Sequence, residues 1–389
     1  MAVGQLQGIL QKHFAETKKK CGLPVWVHAA AEAIMGCRTA AMGGHVEKCP
    51  DGHVERVWYN SCKHRSCPRC GHLPTARWLE KQRARILACD HHHVVFTLPP
   101  ELHALWRYNR ELMIDLLFRC VRDTLFTLLG DENYGGLVPG LLCSLHTWGR
   151  SLCFHPHLHC LLTAWGLNTQ GVWVKAKKAN LLPFMVVREL YRGKMIASIR
   201  SELQAGTLTL PPGLPAFRLE HTLNQLGRKS WNVDIREQYR HGEGVLIYLA
   251  RYVRGGPISE SRIVSTEGSS VTFRYLDHRD KTMKAMTLTA QNFLLRVLQH
   301  VPPPRKKTVR YYGLYAEHNA QMLDACREAL GQESATPTGF LRWEAYWTKT
   351  EKELPNLCPV CRKALVPVQR LRRWSTYHPG LKKDHEHAA

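Results

Sequence analysis

A chain of 389 residues and 44.5 kDa has length for two or three domains and an ample core, which excludes a minimal single-motif protein. Lys and Arg outnumber Asp and Glu by 54 to 32, giving a formal net charge of +22 at pH 7, so a polyanion is the expected partner, either nucleic acid or an anionic membrane. The membrane alternative lacks an anchor, since no run of about 18 apolar residues occurs to span a bilayer. The first twenty residues hold no secretory apolar core and end in Lys18, Lys19 and Lys20, so a cytoplasmic location is expected. In that reducing compartment the 14 cysteines read as thiols or metal ligands rather than disulfides.

Cys37, Cys49, Cys62, Cys67 and Cys70 crowd into one stretch with His45, His53 and His64. Cys67-Pro68-Arg69-Cys70 has the two-residue gap that lets neighbouring thiolates take two corners of a zinc tetrahedron, and Gly71 relieves the turn that follows. Cys49 and His53 form a second pair. The set Cys37, His45, Cys49, His53, Cys62, Cys67 and Cys70 exceeds what one tetrahedral zinc uses, so two structural Zn²⁺ ions are expected, or one ion plus free thiols. Residues 1–88 are therefore expected to form an N-terminal zinc-binding, DNA-contacting domain. Its phosphate-contacting surface would comprise Lys63, Arg65, Arg69 and a basic helix over residues 77–87. Cys89, Cys120, Cys143, Cys153 and Cys160 sit among apolar residues and read as ordinary buried thiols.

Residues 91–98 (HHHVVFTL) form a β-branched and aromatic run stopped by Pro99 and Pro100, the pattern of a buried strand. Helical spacing over residues 101–129 ends at Gly130 and predicts one long helix or two short ones. Strands near residues 141–148 and 157–164, joined by a turn at Gly149, predict a hairpin and an α+β domain with antiparallel pairing. Further on, residues 174–205 read as mostly helical, 208–215 as a Pro and Gly loop, and 262–288 as two or three strands. Pro302, Pro303 and Pro304, followed by Arg305, Lys306 and Lys307, read as a stiff basic linker. It divides a catalytic domain at 89–301 from a basic C-terminal region at 302–389. In that region Cys358 and Cys361 form a second CxxC; ordinary thiols are the preferred reading over a half-ribbon completed by His378, His385 or His387. Arg362, Lys363, Arg370, Arg372 and Arg373, with Trp374 and Tyr377, suggest a tail able to contact DNA by charge and stacking.

Two short motifs carry the chemistry. In HPHLH (155–159), strand alternation turns His157 and His159 to one face, where two imidazoles can meet one metal ion. His146 on the preceding strand is the preferred third ligand over His155, which shares the parity but is displaced along the strand. In YLARY (248–252), Tyr248 and Tyr252 are four apart and leave one face of a helix that must stop at Gly255-Gly256-Pro257. Arg251 and Arg254 flank the pair as DNA-contacting cations. A phenol with a reference pKa of about 10 becomes a useful nucleophile when a metal polarises its electrophile and a cation stabilises the phenolate.

The order of these motifs resembles one family. GGHVEKCPDGH and YNSCKHRSCPRC, then VVFTLPPEL, HPHLH, YLARYVRGGPIS and RYYGLY, are similar to the two-tyrosine HUH transposases of rolling-circle bacterial insertion sequences, over about residues 37–315. The resemblance implies an HUH endonuclease-like antiparallel sheet flanked by helices and preceded by a small zinc-binding module. It also implies His157 and His159 as metal ligands, Tyr248 and Tyr252 as nucleophiles, and Mg²⁺ or Mn²⁺ as catalytic ion, although imidazole ligands by themselves favour Mn or Zn. Where relatives often show CPxCG, this chain has Cys49-Pro50-Asp51-Gly52-His53, with His53 as the substitute ligand. The implied reaction forms a 5′-phosphotyrosine on single-stranded DNA at element ends and target DNA, with no ATP, in keeping with the absence of a G-x-x-x-x-G-K-[ST] loop. The alternatives are a zinc-dependent DNA-binding regulator without catalysis, and an HUH replication initiator or relaxase.

Overall fold

The computed structural model describes residues 3–176, 182–239, 242–277, 280–333, 341–350 and 354–373. Its centre is an antiparallel sheet in the order Val309–Gly313, Leu137–Trp148, Phe154–Asn168, His91–Thr97, Val233–Tyr239, with the short strand Trp173–Lys175 pairing to the far end of Phe154–Asn168. The histidine strand Phe154–Asn168 is thus interior, held by Leu137–Trp148 on one side and His91–Thr97 on the other. Alternation sorts its residues between two layers. Leu158, Cys160 and Leu162 join Val94 and Phe96 in the main core, under the helices Arg110–Leu129, Phe184–Gln204 and Ala216–Arg228. His157, His159 and Leu161 face the other way, where the helix Glu243–Val253 lies with Val245, Leu246 and Leu249 buried against Leu142 and Leu161.

The architecture is the mixed α+β, antiparallel, helix-flanked fold expected. The expected hairpin is there, with longer arms. Helical residues 101–129 split into His103–Tyr108 and Arg110–Leu129 because Asn109 leaves helical geometry. Its side-chain amide donates to Leu105 O (2.9 Å) and Thr209 O (2.7 Å), and its Oδ1 accepts from Thr209 N (2.7 Å). The helix Ala216–Arg228 and the strand Val233–Tyr239 are additions; Leu219, Leu223 and Leu226 bury one face of that helix. Residues 262–288 supply a separate sheet of Ile263–Glu267, Ser270–Leu276 and Met283–Thr289.

Packing crosses the divisions read from the sequence at 88 and 301. The first two helices, Gln5–Lys20 and Val25–Met35, bury Leu6, Leu10, Phe14 and Val27 against Phe273, Phe293, Leu294 and Val297. Strand Val309–Gly313, beyond the triple proline, closes the edge of the central sheet. The N-terminal hairpin Gly44–Lys48 and Glu55–Tyr59 takes Val366–Leu371 as its third strand, so part of the C-terminal region packs with the cysteine-rich module. Among the described residues no helix is long and apolar enough to cross a membrane.

Candidate active site and cysteine clusters

The hairpin register sets His146 directly opposite His157, and Ser144 opposite His159. On one face of the sheet this gathers His146, His157 and His159, all buried, with one ring nitrogen from each within 4.8 Å of the others. Ring centroids are 4.2 Å apart for His146 and His159 and 4.8 Å for His157 and His159. His155 lies beside His157, with centroids 4.9 Å apart, but is outside the trio. His157 Nδ1 is 2.6 Å from the carbonyl of His155; the tautomer that donates this hydrogen bond keeps a lone pair on Nε2. His159 Nδ1 meets His93 Nε2 at 2.8 Å, and donation from His159 to His93 leaves His159 Nε2 equally able to ligate. Burial first, then the neighbouring His157 and His93, hold the His146 imidazole well below its ordinary pKa, in the neutral form that binds metal. Three imidazoles converging on one point fit a divalent ion.

Tyr248 stands over this trio. Its ring centroid is 5.1 Å from that of His159 and 6.3 Å from that of His146. Tyr252 and Arg251 lie on the same helix; their side chains are outside what is described. The helix ends at Val253, and the glycines after it do more than terminate it. Gly255 N donates to Arg65 O (2.8 Å), and a Cβ on Gly256, at φ 75°, would come 2.7 Å from Ser66 O. Backbone therefore meets backbone where the tyrosine helix docks on the cysteine-rich loop. The trio and Tyr248 open into a cleft of about 900 Å³ with Arg150, Arg254 and Arg262 at its border and Tyr346 contributed from the C-terminal helix Trp343–Lys349.

Sequence reasoning missed His93, Arg150, Arg262 and Tyr346. The first had a signal: within the triplet His91–His93 the odd positions share parity with Val95, which pairs with His159. The others become neighbours only through long-range folding. Two expected DNA contacts are turned inward. Arg65 donates to Lys306 O (3.1 Å) and to the Thr308 hydroxyl, and Arg69 donates to Gln7 Oε1 (3.1 Å), so both tie the loop to the rest of the chain. Lys63 stays exposed, at φ 54°, and Arg254 is exposed in the cleft.

The cysteine-rich stretch divides in a way the spacing did not reveal. Cys37, Cys62, Cys67 and Cys70 form one cluster, with Sγ separations of 3.4 Å (Cys37 to Cys70), 3.7 Å (Cys62 to Cys70) and 3.9 Å (Cys67 to Cys37). Four thiolates on zinc at about 2.3 Å have tetrahedral edges of about 3.8 Å. Hydrogen bonds among the four thiols bring the Cys37 thiol down to about 7 and hold Cys70 low, while Cys62 and Cys67 are pushed up as the donors. His45 is not a ligand of this group: its Nε2 pairs with Glu47 Oε1 at 3.0 Å. Cys49 and His53 do not join it either. They lie against Cys358 and Cys361, where ordinary thiols had been expected, while His378, His385 and His387 are outside the described residues.

Two family models match the chain: "Transposase zinc-binding domain" over residues 9–98 and "Putative transposase" over residues 140–322. "Putative transposase y4qJ" of Sinorhizobium fredii (strain NBRC 101917 / NGR234) is 35% identical over 341 residues, covering 85% of this chain and 86% of the relative. The chain belongs to the insertion-sequence transposases. A second relative of this transposase, "Transposase for insertion sequence element IS801" from Pseudomonas savastanoi pv. phaseolicola, is 34% identical over 352 residues, or 87% of this chain and 80% of the relative. Among solved structures, the conjugative relaxase TrwC in complex with oriT DNA aligns with 62% of the transposase and 72% of its own chain, at 16% identity and a TM-score of 0.24, too low to bear on the fold. The zinc-binding domain of the transposase carries structural zinc, for which the Cys37, Cys62, Cys67 and Cys70 cluster has the donors and the spacing.

Proposed function

We propose that the transposase nicks and rejoins single-stranded DNA by attack of the Tyr248 hydroxyl on a phosphodiester, in rolling-circle transposition. The observation that carries this reading is the Tyr248 ring set over three converging, buried histidines in a cleft bordered by arginines. In the step, a bond forms between Tyr248 Oη and phosphorus as the bond to the 3′ oxygen breaks. The phenol gives up its proton, the electron pair of the broken bond leaves with the 3′ oxygen, which takes up one proton in its place, and the 5′ phosphate remains on the tyrosine. His146, His157 and His159 would hold Mg²⁺ or Mn²⁺, which when bound polarises the scissile phosphate and offsets the charge that develops there. Arg150 and Arg254 attract and orient the backbone, a role that carries no sequence information, while Arg262 donates to the carbonyls of Arg274, Pro257 and Arg150 and braces the border of the cleft. The sheet and the packed helix hold phenol and imidazoles in fixed relation, which favours attack by reducing the orientation left to chance. Because ester bonds are exchanged rather than hydrolysed, the freed 3′ hydroxyl can reverse the step on the same or a second strand. Tyr252, one turn further along the helix, is the second nucleophile, able to cleave while Tyr248 holds the first end.

The test is a covalent adduct. Single-stranded DNA bearing an element end, incubated with the protein and Mn²⁺, should yield a 5′-phosphotyrosyl peptide mapped by mass spectrometry to Tyr248 or Tyr252. Tyr248→Phe with Tyr252→Phe should abolish it while retaining DNA binding. An adduct in the double variant, or none in the parent with any divalent ion, overturns the proposal.

A further inference from the structure

A second group of metal-capable side chains lies away from the cleft, assembled from the two ends of the chain. Cys49 Sγ is 3.4 Å from Cys361 Sγ, a residue 312 positions away, and 3.5 Å from His53 Nδ1. Cys358 Sγ is 4.0 Å from His53 Nδ1, and the four donor atoms all lie within 4.8 Å of one another. A tetrahedral zinc with three thiolates and one imidazole has edges of about 3.8 Å between sulfurs and about 3.5 Å between sulfur and nitrogen. A disulfide would need about 2.05 Å, so the Cys49 and Cys361 sulfurs are not bonded.

The backbone is folded to present these donors. Cys49 begins a tight turn in which Gly52 N donates to Cys49 O (2.9 Å), with Gly52 at φ 79°, and Cys49 N donates to Val54 O (2.9 Å). On the C-terminal side, Arg362 N donates to Cys358 O (3.0 Å), with Arg362 at φ 60°, and Cys358 N donates to Lys363 O (2.9 Å). Each half is thus a chain reversal wrapped around a cysteine, the local shape a thiolate ligand requires. Lys363 Nζ joins the halves by an ion pair to Asp51 (2.8 Å), and Leu365 with Val54 provides only a small apolar patch around the cysteines. Beyond these, the junction has the pairing of Val366–Leu371 with Gly44–Lys48 and the bond from Arg56 to Pro355 O (3.1 Å), so it buries little apolar surface of its own.

We propose that Cys49, His53, Cys358 and Cys361 bind a second structural zinc, which clamps the C-terminal segment onto the zinc-binding domain. The matched zinc-binding region, residues 9–98, contains two of these ligands and not the other two. The clamp secures Val366–Leu371 as the third strand of the hairpin sheet. It thereby sets Arg370, Arg372 and Arg373 beside Lys63 along a groove of about 1030 Å³, a row of cations facing the loop of the first cluster. At the other end of the segment, Arg77 Nε donates to Leu341 O (2.8 Å), next to the helix that puts Tyr346 in the cleft. The segment that borders the cleft is therefore fixed at both ends, one of them by metal. The inference is independent of the tyrosine chemistry.

The experiment uses the full chain purified under reducing conditions without chelator. With His157→Ala and His159→Ala as the parent background, so that the histidine trio takes up no zinc, elemental analysis should find two zinc ions per chain, and adding Cys358→Ser with Cys361→Ser should lower this to one. Limited proteolysis should then release residues 354–373 from the variant and not from the parent. Should the variant fail to fold, maleimide labelling of the parent decides alone: Cys49, Cys358 and Cys361 should resist modification until a strong chelator is added. One zinc per chain in the parent, two in a folded variant, or immediate labelling of these three cysteines would overturn the proposal.

Discussion

Replacing His93 by Ala removes a buried side chain outside the cleft lining, its ring 5.9 Å from that of Tyr248, yet should weaken the binding of the proposed catalytic ion. His93 is buried, and its Nε2 lies 2.8 Å from His159 Nδ1, with ring centroids 5.0 Å apart. In the tautomer where His159 donates to it, His93 keeps Nε2 of His159 available, which makes it a positioning residue. Loss of such a partner lowers metal affinity by about 10- to 100-fold, or about 1.4 to 2.8 kcal/mol. The assay is nicking of single-stranded DNA as a function of Mn²⁺ concentration. Half-saturation should rise by about that factor, while the rate at saturating Mn²⁺ returns close to that of the parent. His93→Gln, whose Oε1 can accept the same hydrogen, should recover much of the affinity. Unchanged half-saturation, or an equal loss at every metal concentration in a protein with native Tm, would refute the reasoning.

Gly256→Ala should cost about 1 to 3 kcal/mol, because φ of 75° and the Ser66 carbonyl at 2.7 Å both oppose a Cβ; denaturant unfolding measures it, and a neutral result would remove the backbone-contact account. Leu246→Ala, fully buried between the tyrosine helix and the sheet, should destabilise by about 2 to 5 kcal/mol. A loss under about 1 kcal/mol would mean that this helix is not anchored as described. His300 is buried, and burial holds its imidazole down to about 3, below the unfolded value of about 6.5. The unfolded chain therefore binds the proton first. The stability this contributes is complete above about pH 6.5 and falls by about 1.4 kcal/mol per unit below it. Between pH 7 and pH 5 the parent should lose about 2 kcal/mol more than His300→Gln, and equal losses would contradict the assignment.

Much of this site was legible in the chain because strand and helix periodicities act locally. Alternation alone puts His157 and His159 on one face, and the single turn at Gly149 leaves little freedom in how His146 can return beside them. Spacing of four puts both tyrosines on one side of a helix, and two glycines with a proline end it. The family followed from the order of these motifs. What tertiary structure decided is which distant pieces meet. Arg65 and Arg69 look like surface cations in the sequence, yet each has backbone or side-chain acceptors waiting far along the chain, at Lys306, Thr308 and Gln7. His45 lies on the strand Gly44–Lys48 just ahead of Cys49, but its partner two residues on is Glu47.

The cysteines draw the contrast most clearly. Cys67 and Cys70 announce a ligand pair because two donors on one tight turn are a local property, and a sequence records local properties directly. Cys49 and His53 announce half a site in the same way, and Cys358 and Cys361 another half. Nothing in either segment encodes that they belong together, since their meeting depends on the strand Val366–Leu371 pairing with Gly44–Lys48 after nearly the whole chain has folded between them. Sequence determined the donors and their turns; only the closing of that sheet decided which donors share a centre.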